Sequence, residues 1–250
     1  MSGNFTTLKA TALSDPENSP KLDCCLTITL GRLHMVHRLV GPGIIIVLLL
    51  AGLSLAIAQN VKPIQFPPPQ TEIGKPLMQA LKLRQSSRNF DTRPLPMQEL
   101  SNLLWAADGI NRPESGKRTA PTAKNWQEVD VYVVLPEGVY VYDAAVHSLN
   151  PVVTGDFREA TGSQVFVKNA PLNLVYVSDY GRMPMSSDEE KGLYGATDAA
   201  FIAQNVYLYC ASQGLAVVVR GGINRTALAK LMKLRDDQKI ILAQTVGYPK

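Results

Sequence analysis

The 250-residue chain has only three cysteines and three histidines. Cys24 and Cys25 are adjacent, a spacing that rarely bridges, and Cys210 stands alone. There is thus no disulfide framework and no zinc-ligand spacing. Beyond residue 60 the sole histidine is His147, which leaves no Ser-His-acid or Cys-His arrangement for nucleophilic catalysis. No Gly-rich dinucleotide fingerprint follows a strand, and no internal repeat is present. A dominant charge is missing too: 25 Lys and Arg stand against 21 Asp and Glu, a net charge of +4. That balance is too mild to require nucleic acid or an anionic membrane, and no nucleic-acid partner is expected. These absences leave room for chemistry carried by a bound cofactor.

What is present is enough apolar residue, 46%, for a folded core. One apolar run, Leu39 to Ala58, carries no charge. At about 20 residues it is just long enough to span a bilayer. Arg38 before it, an apolar stretch from Ile44 to Leu53, and Ala56-Ile57-Ala58 before Gln59 also make a signal peptide. Residues 35–58 are therefore expected to be a signal peptide or a membrane anchor, with membrane contact only if the segment stays uncleaved. No cysteine follows to make a lipobox. The expected location is exported, periplasmic or secreted, with membrane-anchored as the alternative. Residues 1–34 are polar and turn-rich, and Met35 just before Arg38 marks a second candidate start. They are expected to be disordered or a non-native upstream extension. Residues 59–71, with Pro63, Pro67, Pro68 and Pro69, are expected to form an extended linker.

The remaining 72–250 segment reads as one domain. Helical spacing predicts helices over 76–85, 96–107, 195–213 and 225–232, with Gly214 as a C-cap. Strands are expected at 129–135 and 139–142 around Pro136-Glu137-Gly138, and at 172–178, 215–219 and 238–246. Strands separated by helices indicate an α+β sandwich, a central mixed sheet flanked by helices.

Three local features suit a ligand. Arg84-Gln85-Ser86-Ser87-Arg88 puts two guanidiniums and two hydroxyls in five residues, a donor set that fits phosphate; the plainer reading is a solvated helix end. Thr119 to Gln127 is a proline-stiffened polar loop before a strand. Arg220-Gly221-Gly222 follows a strand and allows close backbone approach, or is an ordinary strand exit. Cys210, on an apolar helix, is expected to be packed, and Asp188-Glu189-Glu190 to be a wet surface.

Taken in order, these segments resemble the nitroreductase family of FMN-dependent oxidoreductases, in particular its short SagB-like members, over about residues 76–250. The family's Arg-x-Ser-x-Arg pattern is matched by Arg84, Ser86 and Arg88. Its Ala-Pro-Ser-x-x-Asn loop is matched by Ala120, Pro121, Thr122 and Asn125, with Thr keeping the hydroxyl. Its Gly-x-x-x-Asp-x-x-x-x-x-Gln-Asn helix is approximated by Gly195, Asp198, Gln204 and Asn205. Gly221-Gly222 matches its later turn, and Val246 to Pro249 its ending. The resemblance implies a homodimer with an FMN site at each subunit interface. It implies that Arg84, Ser86 and Arg88, helped by Lys250, hold the phosphate and nearby polar atoms. Pro121, Thr122, Asn125 and the backbone of Arg220, Gly221 and Gly222 would approach the flavin ring. It further implies ping-pong transfer from NADH or NADPH to a small-molecule electron acceptor such as a nitroaromatic, a quinone or a peptide-like substrate. A non-catalytic flavin-binding or sequestering protein, or an exported structural domain without flavin, are the alternatives.

Overall fold

Val129–Leu135 reads VDVYVVL and Leu172–Asp179 reads LNLVYVSD. Such runs are apolar on both faces and belong in the middle of a covered sheet. The structure, a computed structural model, describes residues 61–184 and 186–250. The expectations for residues 1–34 and for the 35–58 segment lie outside the described residues. Ala58–Lys250 forms one unit.

In chain order its elements are β1 (Ile64–Gln65), α1 (Leu77–Leu83), α2 (Met97–Asp108), β2 (Ile110–Arg112), β3 (Lys117–Arg118), β4 (Val129–Leu135), β5 (Gly138–Asp143) and β6 (Ser148–Thr154). There follow α3 (Phe166–Asn169), β7 (Leu172–Asp179), α4 (Asp188–Gln213), β8 (Ala216–Arg220), α5 (Arg225–Leu231) and β9 (Gln238–Gly247). Seven strands form one sheet in the order β1-β6-β5-β4-β7-β9-β8, and β2 and β3 form a separate ribbon.

The α+β sandwich is as expected, but every strand pairing is antiparallel where a mixed sheet was expected. The crossover through α4 does make β8 run with β7, but β9 inserts between them and pairs antiparallel with both. Val131, Val133, Leu174 and Tyr176 face α2 and α4, while Val134, Val175 and Val177 face Leu228 and Met232 at α5. Period-2 alternation of an all-apolar run thus fills both layers.

Residues 61–71 are extended, as their prolines require, yet they are seated on the domain rather than serving as a linker. Ile64 and Gln65 pair with Leu149 and Ser148, and Phe66 is buried. The Ser101 hydroxyl donates to the Pro67 carbonyl at 2.7 Å, and His147 Nε2 lies 2.7 Å from the same hydroxyl. With its proton given to Pro67, Ser101 accepts from Nε2, and the other ring nitrogen meets the Tyr142 hydroxyl at 2.9 Å. His147 is therefore a satisfied structural histidine. Cys210 is fully buried, and burial pushes its thiol well up, so it is packed and inert.

α4 begins at a capping box, Ser187 with Glu190, and ends at Gly214 in the left-handed region (φ 76°). The Asp188-Glu189-Glu190 run is its first turn, where carboxylates oppose the positive end of the helix dipole. α4 approaches the sheet closely at Gly195, where a Cβ would lie 2.8 Å from Ser178 Cβ. Gly195→Ala is expected to destabilise the protein by about 1–3 kcal/mol, because overpacking forces the helix off the sheet. Thermal unfolding measures this, and an unchanged melting temperature would contradict the close approach.

Candidate functional site

After α1 the chain becomes an extended arm. The Ser87 N–H donates to the Val217 carbonyl of β8 at 2.9 Å, and Phe90 bridges to Pro249. The arm thus lies on the outer edge of β8. Arg84, Ser86 and Arg88 are all exposed, and neither guanidinium has an acidic partner among the described residues. A cavity of about 220 Å³ is instead lined by the intervening Gln85 and Ser87, together with Leu83 and Pro249. The alternation of an extended chain separates the two sets. Lys250 lies beside the arm: its N–H donates to Asn89 O at 3.4 Å, and its carbonyl accepts from Asn89 Nδ2 at 3.2 Å.

Arg220 ends β8 and is buried, with its guanidinium turned inward. It donates to Thr161 O (2.7 Å), Thr245 Oγ1 (3.0 Å) and Asn173 Oδ1 (3.1 Å). All these acceptors are neutral, and burial lowers its pKa to about 10. The side chain is thus a structural tie across β8, β9 and β7, and the residue's backbone is paired with Ala243 of β9, so a ligand on this side would meet Gly221 and Gly222 rather than Arg220. Gly221 and Gly222 follow it and are exposed.

Pro121, Thr122 and Asn125 lie on a loop over the other part of α4. Three non-glycine residues there, Lys124 (φ 51°), Asn125 (φ 57°) and Gln127 (φ 49°), are left-handed, a strained arrangement that persists only when its surroundings hold it. Two buried carboxyls do so. Thr122 Oγ1 donates to Glu128 Oε2 at 3.0 Å, and Ala123 N–H donates to Asp198 Oδ2 at 2.9 Å. Gln127 N–H donates to Thr122 Oγ1 at 3.0 Å, and Arg118 Nε to Gln127 Oε1 at 2.9 Å. Arg118 also pairs with Asp108. Burial pushes Asp108 up to about 7 against the pull of that cation. Burial also pushes Glu128 up, and the neighbouring Asp198 charge adds to the effect. Glu128 Oε1 is buried without a hydrogen-bond partner among the described residues.

The structure therefore gathers Arg84, Ser86, Arg88, Lys250 and the β8 exit on one side, and Pro121, Thr122 and Asn125 elsewhere. No hydrogen bond joins the two groups among the described residues. Neither Glu128, one residue past the Thr119–Gln127 loop, nor Tyr207 of α4 stands in a motif that the sequence pattern marks as functional. Three of the four matched helix residues serve the framework: Gly195 in packing, Asp198 under the loop, and Asn205 donating to Ala107 O at 3.3 Å; Gln204 is exposed.

The domain is thus an antiparallel α+β sandwich with a cationic edge arm and a carboxyl-anchored loop. The chain belongs to the Nitroreductase family, whose model matches residues 81–248, and it is an oxidoreductase of that family. A Methanocaldococcus jannaschii protein provisionally named a nitroreductase is 30% identical over 181 residues, covering 66% of this chain and 91% of the relative. A crystal structure of a Ralstonia eutropha JMP134 protein described in the same way is 46% identical, with a TM-score of 0.74, over 78% of this chain and 93% of that one. A chain of the Escherichia coli microcin synthetase McbBCD complex, solved with truncated pro-microcin bound, shares the fold at 19% identity and a TM-score of 0.58, over 80% and 82%.

The acid pair makes a pH prediction. A carboxyl that keeps its proton longer in the folded chain makes the fold less stable as pH rises past its ordinary value, 4.5 for Glu128. The loss is complete once pH passes the raised folded value. Glu128→Gln removes that titration. Its melting temperature relative to wild type is expected to rise between pH 4 and pH 8, and a pH-independent difference would refute the assignment.

Proposed function

We propose that this protein is an FMN-dependent oxidoreductase acting on a small organic acceptor such as a nitroaromatic or a quinone. The observation that carries the reading is the arm: Arg84, Ser86 and Arg88 are exposed within five residues of one another, and neither guanidinium has an acidic partner among the described residues. Their donors match the acceptor oxygens of a phosphate, and the arm segment 84–90 holds no carboxylate to repel it. Lys250 adds a terminal cation beside them. The exposed Gly221-Gly222 backbone allows a flat ring to approach closely, and Pro121, Thr122 and Asn125 supply polar contacts from a pre-set loop. FMN, when bound, supplies the redox chemistry, taking two electrons from NADH, NADPH or another donor and passing them on in a ping-pong cycle. The protein's own task is to bind, orient and shield it, which agrees with the missing catalytic triad.

The separation of arm and loop supports a homodimer in which each subunit completes the other's pocket. So does α1, which presents Leu77 (62% exposed), Met78 (76%), Leu81 and Leu83 outward and buries only Ala80. α1 packs on α4, which itself exposes Leu193 and Phe201. A set of large apolar side chains this exposed is the mark of an interaction surface. The 39–58 run supports export, and outside the cytoplasm, where reduced nicotinamide is scarce, the donor would differ.

The test is to load the purified protein with FMN and reduce it anaerobically with NADH and with NADPH. No flavin uptake overturns the reading, and uptake without reduction by either favours a flavin-sequestering protein or another donor. Arg88→Ala is expected to raise the FMN Kd about tenfold or more, by loss of a charge-assisted contact, with little change in apoprotein melting. Leu81→Asp is expected to convert the dimer to a monomer by light scattering and to lower FMN occupancy; a dimer that persists rules out the α1 face as the interface.

A further inference from the structure

Tyr207 joins the arm to the sheet from beneath. It sits on α4, buried, with the Arg84 guanidinium 5.4 Å from its ring centroid. Its hydroxyl accepts from the Val219 backbone N–H at 2.8 Å and lies 2.9 Å from the Ser86 hydroxyl. An amide can only donate, so Val219 takes a lone pair of the phenol oxygen; the acceptor in reach of the buried phenol proton among the described residues is Ser86 Oγ, and that sets the direction of this bond. Ser86 accepts that proton's bond, and its own hydrogen is then free to point outward. The chain from Val219 N–H through Tyr207 O–H to Ser86 O–H runs in one direction, and each bond polarises the next. Its outer end is a donor on the exposed side of the arm, beside a cation held over the same ring. That pairing fits an acceptor-only anion such as an ionised phosphate ester, and gives no comparable gain to a ligand ending in a neutral hydroxyl. The helix residues matched by the family pattern are Gly195, Asp198, Gln204 and Asn205, so position 207 has no role in that pattern.

We propose that Tyr207 is a positioning residue that sets Ser86 as an outward donor and seats Arg84, so that the site selects phosphorylated flavin over flavin lacking the phosphate. The proposal rests on the flavin reading above. Tyr207→Phe keeps the ring under Arg84 and removes the hydroxyl that directs Ser86; it also unpairs the Val219 N–H, an effect that falls on both flavins alike and so does not change their ratio.

The experiment titrates the full-length protein with FMN and with riboflavin, following flavin fluorescence, for wild type, Tyr207→Phe, Ser86→Ala and the double variant. Tyr207→Phe is expected to weaken FMN binding about tenfold, the worth of one hydrogen bond to a charged group. Riboflavin binding is expected to stay within about twofold of wild type. In the Ser86→Ala background Tyr207→Phe should cost nothing further, because its effect passes through Ser86. Equal weakening of both flavins would mean a merely structural tyrosine and overturns the proposal, as does an unchanged FMN affinity or full additivity. If Tyr207→Phe does not fold, Ser86→Ala, at an exposed position, carries the comparison, and an unchanged FMN-to-riboflavin ratio overturns it. Wild type that binds neither flavin ends the flavin reading and this proposal together. Wild type that prefers FMN, with Tyr207→Phe preferring it equally, ends this proposal alone.

Discussion

The contact between α4 and the sheet is the constraint on which the rest depends. Gly195 lets the helix come down onto Ser178, and from that seat α4 reaches both the loop and the arm. Asp198 lies under the loop. Asn205 ties α2 through the Ala107 carbonyl. Tyr207 lies nine residues past Asp198, about 14 Å further along the axis at 1.5 Å per residue, and anchors the arm. Gly214 then ends the helix and turns the chain into β8, whose outer edge carries that arm. A helix displaced from the sheet would misplace loop and arm together, so packing and binding geometry are one problem here.

Two buried carboxyls and a strained loop form the costly part of the molecule. Left-handed backbone at non-glycine residues costs on the order of 1–3 kcal/mol each. Hydrogen bonds from Thr122 and Ala123 to Glu128 and Asp198 offset that cost by giving otherwise desolvated acids their donors. Each side of the arrangement needs the other: the loop keeps its conformation because the acids are beneath it, and the acids are tolerated because the loop supplies N–H and O–H groups. The outcome is a polar loop with little freedom, suited to meeting a rigid ligand without an ordering cost.

Long periodic segments were legible in the sequence. The α2, α5, β4, β5, β7, β8 and β9 elements fall close to where spacing and punctuation place them, because burial on one or both faces imposes the pattern; α4 ends where expected but begins at Asp188, seven residues before 195, because its first two turns are polar and are started by the Ser187–Glu190 capping box. β6 was not legible: Pro151 in Ser148–Thr154 reads as a break, yet the strand is peripheral, between β5 and the two-residue β1, and tolerates a missing N–H. β1, β2 and β3 are too short to show a period. Residues 61–71 look like a linker because of their prolines, and nothing local reveals that the Pro67 carbonyl and Phe66 find partners 34 and 81 residues away. In the site, the Arg-Ser-Arg cluster was legible because its donors lie within five residues of one another, and the arm leaves all three exposed. Arg220 was legible as a strand end, but not as an inward-turned guanidinium, since its acceptors come from three distant segments.

By itself the sequence determined what is local: the apolar run, the helices and strands of clear period, the capping at Gly214, the cationic arm and the absence of a nucleophilic triad. These follow from side-chain chemistry and backbone preference within a few residues. Only the tertiary structure decided the antiparallel order of the sheet, the partners of Arg220, the acid pair beneath the loop and the hydroxyl of Tyr207 behind Ser86. Each of those depends on atoms far apart in the chain that meet only when β9 enters between β7 and β8 and α4 settles on the sheet.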